Sequence, residues 1–168
     1  MYKNKQAFIE ISEFGRKLLT RPSLEIGIPI ISSYAKKLLE ADRCSVFIYD
    51  EQKHNLWTVL ADGTKQIRIS ANEGIVGAAF RDKKSLLVND PYSDERFSSK
   101  VDKETGYITH NIIAIPILNA FNEAIGVLQL LNKKSGDFSK EDIKLLTFFN
   151  HYISGYVELA NYFDEEPS

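Results

Sequence analysis

At 168 residues, with 43% hydrophobic and 26% charged side chains, the chain has the size and composition of one globular domain with a substantial core. Its formal charge of -2 and isoelectric point of about 5.9 leave no surplus of positive charge to neutralise a run of phosphates, so nucleic acid is excluded as an expected partner. The lone Cys44 excludes an internal disulfide, and one thiol among three scattered histidines offers no metal site, so a soluble cytoplasmic protein is expected.

Phe8, Ile11, Phe14 and Leu18 recur at spacings of three and four, which predicts an amphipathic helix from Lys5 to about Leu19. Arg21-Pro22-Ser23 interrupts it. Ser23 is a suitable N-cap, and Leu24, Ile28, Ile31, Ala35, Leu38 and Leu39 predict a second helix, whose start Pro29 should bend or delay to about residue 28. No run approaches the roughly 20 apolar residues of a membrane span, and the start lacks the pattern of a secretory signal.

Residues 44–49 and 56–60 read as strands joined by a polar turn, and Ile67-Arg68-Ile69 as a third. Gly74-Ile75-Val76-Gly77 opens a short helix to about Arg81, followed by a brief strand at 85–88. A polar stretch from Asn89 to Tyr107, with helical potential near residues 98–103, precedes two strong strands at 111–118 and 124–131. Ser139 and Asp142 form a capping box for a closing helix with Ile143, Leu146, Phe149, Ile153, Tyr156 and Ala160 on one face. This order predicts an α+β fold: a central antiparallel sheet with the terminal helices on one face, the excursion from Gly74 to Tyr107 on the other, and a pocket beneath that excursion.

The segments Cys44-Ser45-Val46-Phe47, Gly74-Ile75-Val76-Gly77, Asp102-Lys103-Glu104-Thr105-Gly106-Tyr107, Ile115-Pro116-Ile117 and Ile125-Gly126-Val127 occur in the order found in GAF domains. The chain resembles most the cyclic-nucleotide-binding GAF domains of phosphodiesterases and adenylyl cyclases. The resemblance implies a GAF domain over residues 24–163, preceded by a connector or dimerisation helix at 1–23 and followed by a tail at 164–168. Those relatives carry a signature that here reads Asn132, Lys133, Phe138 and Asp142, with Ile143 in place of its final Glu. For Lys133 and Asp142 it implies an internal salt bridge, although Asp142 could serve simply as a helix cap and Lys133 as a solvated charge.

By the same resemblance, Ile75 and Val76 would offer backbone amides at a helix start to a phosphate, which suits an anion without requiring Lys or Arg. Thr105 and Thr109 would donate hydroxyls to ribose or phosphate, and Asp102 would hold the lid or meet the ligand. Ser45, Asp62 and Gln129 match positions that face the base. A carboxylate at Asp62 would accept from guanine's N1–H and amine, a lean towards cGMP over cAMP. Thr105, Thr109 and Asp102 also suit turns and caps, and Ala61-Asp62-Gly63 is equally a plain turn. Ala61 departs from the aromatic that some relatives stack on the base.

The resemblance thus implies a regulatory module that senses a small molecule, with cAMP or cGMP as the expected ligand, no cofactor or metal, and an output domain in the same or another chain. The alternative is a ligandless dimerisation and signal-relay module. Catalysis is not expected, since no nucleophile and base pair off and the methionine sulfoxide reductases of the wider family rely on cysteines absent here. The stripes on Phe8 to Leu18 and Ile143 to Ala160 exceed what one small sheet needs, which predicts a homodimer.

Overall fold

Two ten-residue strands, β1 (Ala41–Asp50) and β6 (Ala124–Lys133), pair antiparallel from Ala41–Lys133 to Ile48–Gly126 and form the axis of the molecule. In the computed structural model, which describes residues 2–19, 24–61 and 66–164, six strands make one antiparallel sheet in the order β3-β2-β1-β6-β5-β4. The outer strands are β2 (Asn55–Ala61), β3 (Arg68–Ser70), β4 (Leu86–Val88) and β5 (Ile112–Leu118). At the centre, β1 and β6 approach so closely that a Cβ on Gly126 would collide with the carbonyl oxygen of Phe47. A side chain there would push the two strands apart.

Period-two alternation divides these strands between two cores. Val46 and Ile48, Ile113, Ile115 and Ile117, and Leu128 and Leu130 face three helices: α1 (Tyr2–Leu19), α2 (Leu24–Leu39) and α5 (Lys140–Asp164). These helices contribute Ile11, Phe14, Ile28, Ile31, Ala35, Leu146, Phe149 and Ile153. Phe14 stacks on Phe149 with ring centroids 4.4 Å apart, and Gly27 leaves room for the hydroxyl of Tyr156. The opposite face carries Phe47, Leu56, Ile112, Ala114 and Val127 beneath α3 (Gly74–Asp82), which supplies Ile75, Val76 and Ala79. A 3-10 turn (Pro91–Ser93) and α4 (Lys100–Thr105) then complete the excursion that leads back to β5.

The α+β fold with terminal helices on one face and a helix-and-loop cover on the other is the one expected from the order of elements. Three local expectations are corrected. Helix α2 starts at Leu24, directly after Ser23, and runs through Pro29, so of the two alternatives the delay to about residue 28 does not occur. Pro29 lies on its exposed side in the second turn, where water can serve the carbonyl that loses its partner. Helix α1 begins at Tyr2, and Phe8 points outward while Ala7, Glu10, Ile11 and Phe14 are buried. The spacing of apolar residues identifies the helix and places Ile11 and Phe14 correctly, but Ala7 takes the buried position expected for Phe8. Ser23 and the side chains of Leu18 and Ala160 lie outside the described residues.

Candidate ligand-binding site

Ser45 and Gln129 stand directly opposite one another on β1 and β6, and Gln129 also faces Ala114 on β5. This row belongs to the face under α3, between the apolar levels of Phe47–Val127 and Ile112–Leu131. Among the described residues neither the Ser45 hydroxyl nor the Gln129 amide hydrogen-bonds to another protein group, and neither is fully buried. Two partly open polar groups on an otherwise apolar wall leave their donors and acceptors open to water or to a molecule that sits against the sheet.

Helix α3 offers the second element. Ile75 and Val76 are buried, and the first intrahelical bond runs from Gly77 N–H to the Glu73 carbonyl. Glu73, at the N-cap, makes no side-chain cap bond, so the amides of the first turn keep their hydrogen-bonding capacity and the positive end of the helix dipole. Gly74, at φ 69°, makes the entry turn possible.

The lid from residue 89 to 111 is held by two polar hubs. At the first, the buried carboxylate of Asp102 accepts from Tyr92 Oη at 2.5 Å, Thr109 N–H at 3.0 Å and Thr109 Oγ1 at 3.0 Å. That hydrogen bond raises the Tyr92 phenol above its ordinary pKa. Thr109 is only 2% exposed, so its hydroxyl is part of the lid's own framework. Thr105 is exposed and donates to the Val101 carbonyl one turn back at 2.8 Å, while Gly106, in the left-handed region, ends α4. The two threonines expected to act alike thus occupy different environments.

At the second hub, Asn132 adopts a left-handed backbone at φ 58°, a conformation asparagine tolerates better than most side chains. Its Oδ1 accepts from the amides of His110 (2.6 Å) and Asn111 (3.3 Å), and its Nδ2 donates to Ile108 O (2.7 Å) and Tyr107 Oη (2.9 Å). The Tyr107 hydroxyl in turn donates to Asp42 Oδ2 at 2.8 Å, and the Arg43 guanidinium lies 3.5 Å over the ring centroid. Burial first, then the Asp42 carboxylate, push the Tyr107 phenol well above its ordinary pKa and keep it a donor.

The rest of the signature braces the far end of β6. Lys133 Nζ meets Asp142 Oδ2 at 2.6 Å, with side chains only 16% and 12% exposed. The same carboxylate oxygen accepts Ser139 N–H at 2.8 Å, Ser139 Oγ accepts Asp142 N–H at 3.3 Å, and Phe138 is buried alongside. Asp142 is therefore both salt-bridge partner and cap, two roles that the sequence had left as alternatives. Asn111 adds a tie, donating from Nδ2 to Gly136 O and accepting Lys133 N–H on Oδ1. Asp62 lies outside the described residues, as does the side chain of Ala61.

Sequence reasoning missed Tyr92, Asn111 and the Asp42–Arg43–Tyr107 cluster, because their partners are 10 to 65 residues away and no local spacing links them. A separate cleft of about 520 Å³ is lined by Lys36, Lys37, Glu40, Asp42, Lys134 and Ser135. Among the described residues no group of three or more His, Cys, Asp or Glu could hold a metal ion, and no helix is long and apolar enough to cross a membrane.

Comparison with known proteins meets this geometry at the family level, since the family model described as "GAF domain" matches residues 25–156. The chain belongs to the GAF family. GAF domains are regulatory sensory modules, and residues 25–156 include β1, β6, α3 and the whole lid. This GAF domain is 31% identical over 157 residues to the probable 3',5'-cyclic phosphodiesterase pde-5 of Caenorhabditis elegans, covering 85% of the chain and 21% of that relative. The chain thus spans about a fifth of the relative's length. Among solved structures, the GAF domain of the Coxiella burnetii phosphoenolpyruvate-protein phosphotransferase superposes with a TM-score of 0.84 at 18% identity, over 95% of this chain and 97% of that one. The free methionine-R-sulfoxide reductase of Neisseria meningitidis, solved with its substrate, gives 0.77 at 14% identity, over 93% and 92%. At these identities the likeness shows the fold alone.

Proposed function

We propose that this GAF domain senses a cyclic nucleotide, cAMP or cGMP, beneath the lid at 89–111 and relays occupancy through its terminal helices without acting on the ligand chemically. The observation that carries this reading is the unpaired Ser45–Gln129 row on the apolar inner face, close in register to β5 and covered by α3. A purine edge needs both donors and acceptors from such a wall, and a hydroxyl and an amide supply both. The free amides at the start of α3 suit the single anionic phosphodiester. Similarity to a probable cyclic phosphodiesterase supports the same ligand class. Asp62 stands in this reading as the residue that favours guanine, and Thr105, on the lid surface, as the hydroxyl able to turn to a ligand.

Phe8, Phe148 and Tyr152 form an exposed aromatic face shared by α1 and α5, with Phe8 edge-on to Phe148 at 5.7 Å. This face supports a homodimer through the helical layer. The reading further takes the domain to be cytoplasmic and to act on an output domain in the same or a partner chain. A second reading, a relay domain that binds no ligand, is favoured by one observation. Thr109 bonds Asp102 twice and Tyr92 bonds the same carboxylate, so this part of the lid is held in place by its own residues.

Calorimetry and thermal melts with cAMP and cGMP separate the two. A ligand at 100 times its dissociation constant should add about 2.7 kcal/mol to the stability. No heat and no shift with either nucleotide would leave the relay reading in its place.

A further inference from the structure

We infer that Tyr107 is a strap that fastens the downstream end of the lid to the junction between α2 and β1, and so couples the state of the lid to the helical layer. The hydroxyl is shared by two residues on two strands. It donates to Asp42 on β1 and accepts from Asn132 on β6, and these two positions lie between the register pairs Ala41–Lys133 and Arg43–Leu131. The ring is clamped as well, since Arg43 stacks on its face at 3.5 Å. A tyrosine that only filled space would not need all three contacts.

What lies at either end makes this a coupling element. On the lid side, Tyr107 follows Gly106, where α4 ends, and stands two residues before Thr109, which is bound twice by Asp102. Asn132 grips the same stretch at Ile108, His110 and Asn111. A shift of α4 therefore pulls directly on the phenol. On the other side, Asp42 is three residues beyond Leu39, the last residue of α2, across a tight corner where Glu40 takes φ 54° and its carbonyl accepts Lys134 N–H at 2.8 Å. Such a corner has little slack, so a displacement of Asp42 and Arg43 passes to the end of α2. Helix α2 packs on both α1 and α5. The strap is the one link among the described hydrogen bonds that joins residues 100–109 directly to residues 36–43.

The regulatory meaning of this strap rests on the reading of residues 89–111 as a ligand lid, but the coupling can be measured without ligand. Amide hydrogen exchange, followed by NMR on the full chain, would compare the parent, Thr109→Ala, Tyr107→Phe and the double variant. Thr109→Ala loosens the lid at a known point. It is expected to raise exchange about tenfold or more across residues 100–110 and severalfold at residues 40–43. With Tyr107→Phe in place, the same Thr109→Ala change should still raise exchange in the lid and no longer reach residues 40–43. Asp42→Ala, which keeps the ring and removes its acceptor, should block the transfer in the same way and serves if Tyr107→Phe lowers overall stability. Equal responses at residues 40–43 with and without the strap, or no response in either background, would overturn the coupling. Calorimetry of the parent with cAMP and cGMP is read separately, so a failure of the ligand reading leaves the exchange result to stand or fall by itself.

Discussion

The two faces of the sheet are built on different principles. The face under α1, α2 and α5 is closed mainly by apolar side chains, with Phe14, Ile28, Ile31, Ile113, Leu128, Leu130 and Phe149 almost wholly buried. The face under the lid has a smaller apolar patch, and its cover is held by polar hubs at Asp102 and Asn132, with Ser45 and Gln129 left unpaired. Apolar packing is dense and resists small displacements, whereas a cover held by a handful of hydrogen bonds can open locally at a fraction of the global unfolding cost. A sensor needs one face of each kind.

The largest effect should come from the rigid face. Phe149→Ala removes the ring that stacks on Phe14 at 4.4 Å and leaves a cavity no neighbour can fill without shifting, so it should cost about 3–5 kcal/mol in a denaturant melt. A loss under about 1 kcal/mol would mean that the helical layer is less tightly packed than its burial indicates. Next in size is Asp142→Ala, which strands a mostly buried Lys133 ammonium and removes the acceptor for Ser139 N–H. About 3 kcal/mol is expected, near the lower end for a buried pair because both side chains retain some solvent contact. Lys133→Met, which removes the charge together with its need for a partner, should cost less than Asp142→Ala.

The same division explains what the sequence made legible. Residues such as Ile113, Ile115 and Ile117, or Ile11 and Phe14, repeat with the period of their element, and that period is a local property of the chain. Among the described residues, the helices and strands therefore lie within a few residues of where the sequence places them, with the largest departures at the early starts of α1, α2 and β1. The polar hubs have no period. Tyr107 and Asp42 are 65 residues apart, and Asn89 meets Phe138 across 49, so nothing near either partner announces the other. Ser45, Gln129, Ile75 and Val76 are singled out by likeness to a family and by no local pattern, and the structure adds the register that sets Ser45 against Gln129 and the uncapped first turn of α3. Thr105 and Thr109 show the limit of such likeness: four residues apart in sequence, one is on the surface and the other in the lid's framework.

That contrast gives the third prediction. Thr109→Ala deletes a buried hydroxyl and leaves one Asp102 oxygen short of a donor, so about 1–2 kcal/mol should be lost. Thr105→Ala removes an exposed hydroxyl that donates to the Val101 carbonyl of its own helix and accepts the Tyr107 N–H at 3.3 Å, and should change stability by under about 0.5 kcal/mol. If Thr105 meets the phosphate of a bound nucleotide, calorimetry on this variant should show a loss of about 10- to 150-fold in affinity with the melting temperature nearly unchanged. Equal stability losses in the two variants would erase the distinction between lid surface and lid framework.

The smallest effect belongs to a polar contact in the lid that ties it to nothing else. Asp94 accepts from Arg96 Nη2 at 2.7 Å and Nε at 2.9 Å, an ion pair between residues two apart. These bonds hold the Asp94 carboxyl at a pKa of about 2, below its ordinary 3.8. Because the folded-state value is depressed, the stabilisation is present in full above about pH 4, where the unfolded chain is also ionised, and is lost as pH falls from there towards about 2. The pair is open to solvent on the arginine side and spans no gap between elements, so its contribution should stay under about 1 kcal/mol and shrink with added salt. An NMR titration of the Asp94 carboxyl checks the position of the transition, and melts of Asp94→Asn at pH 7 and pH 3 check the sign. The variant should be slightly less stable than the parent at pH 7, and the gap should narrow at pH 3. A gap that widened on acidification would mean that Asp94 is held by something other than Arg96, and would move this loop from the loosely held region of the lid to the side of its hubs.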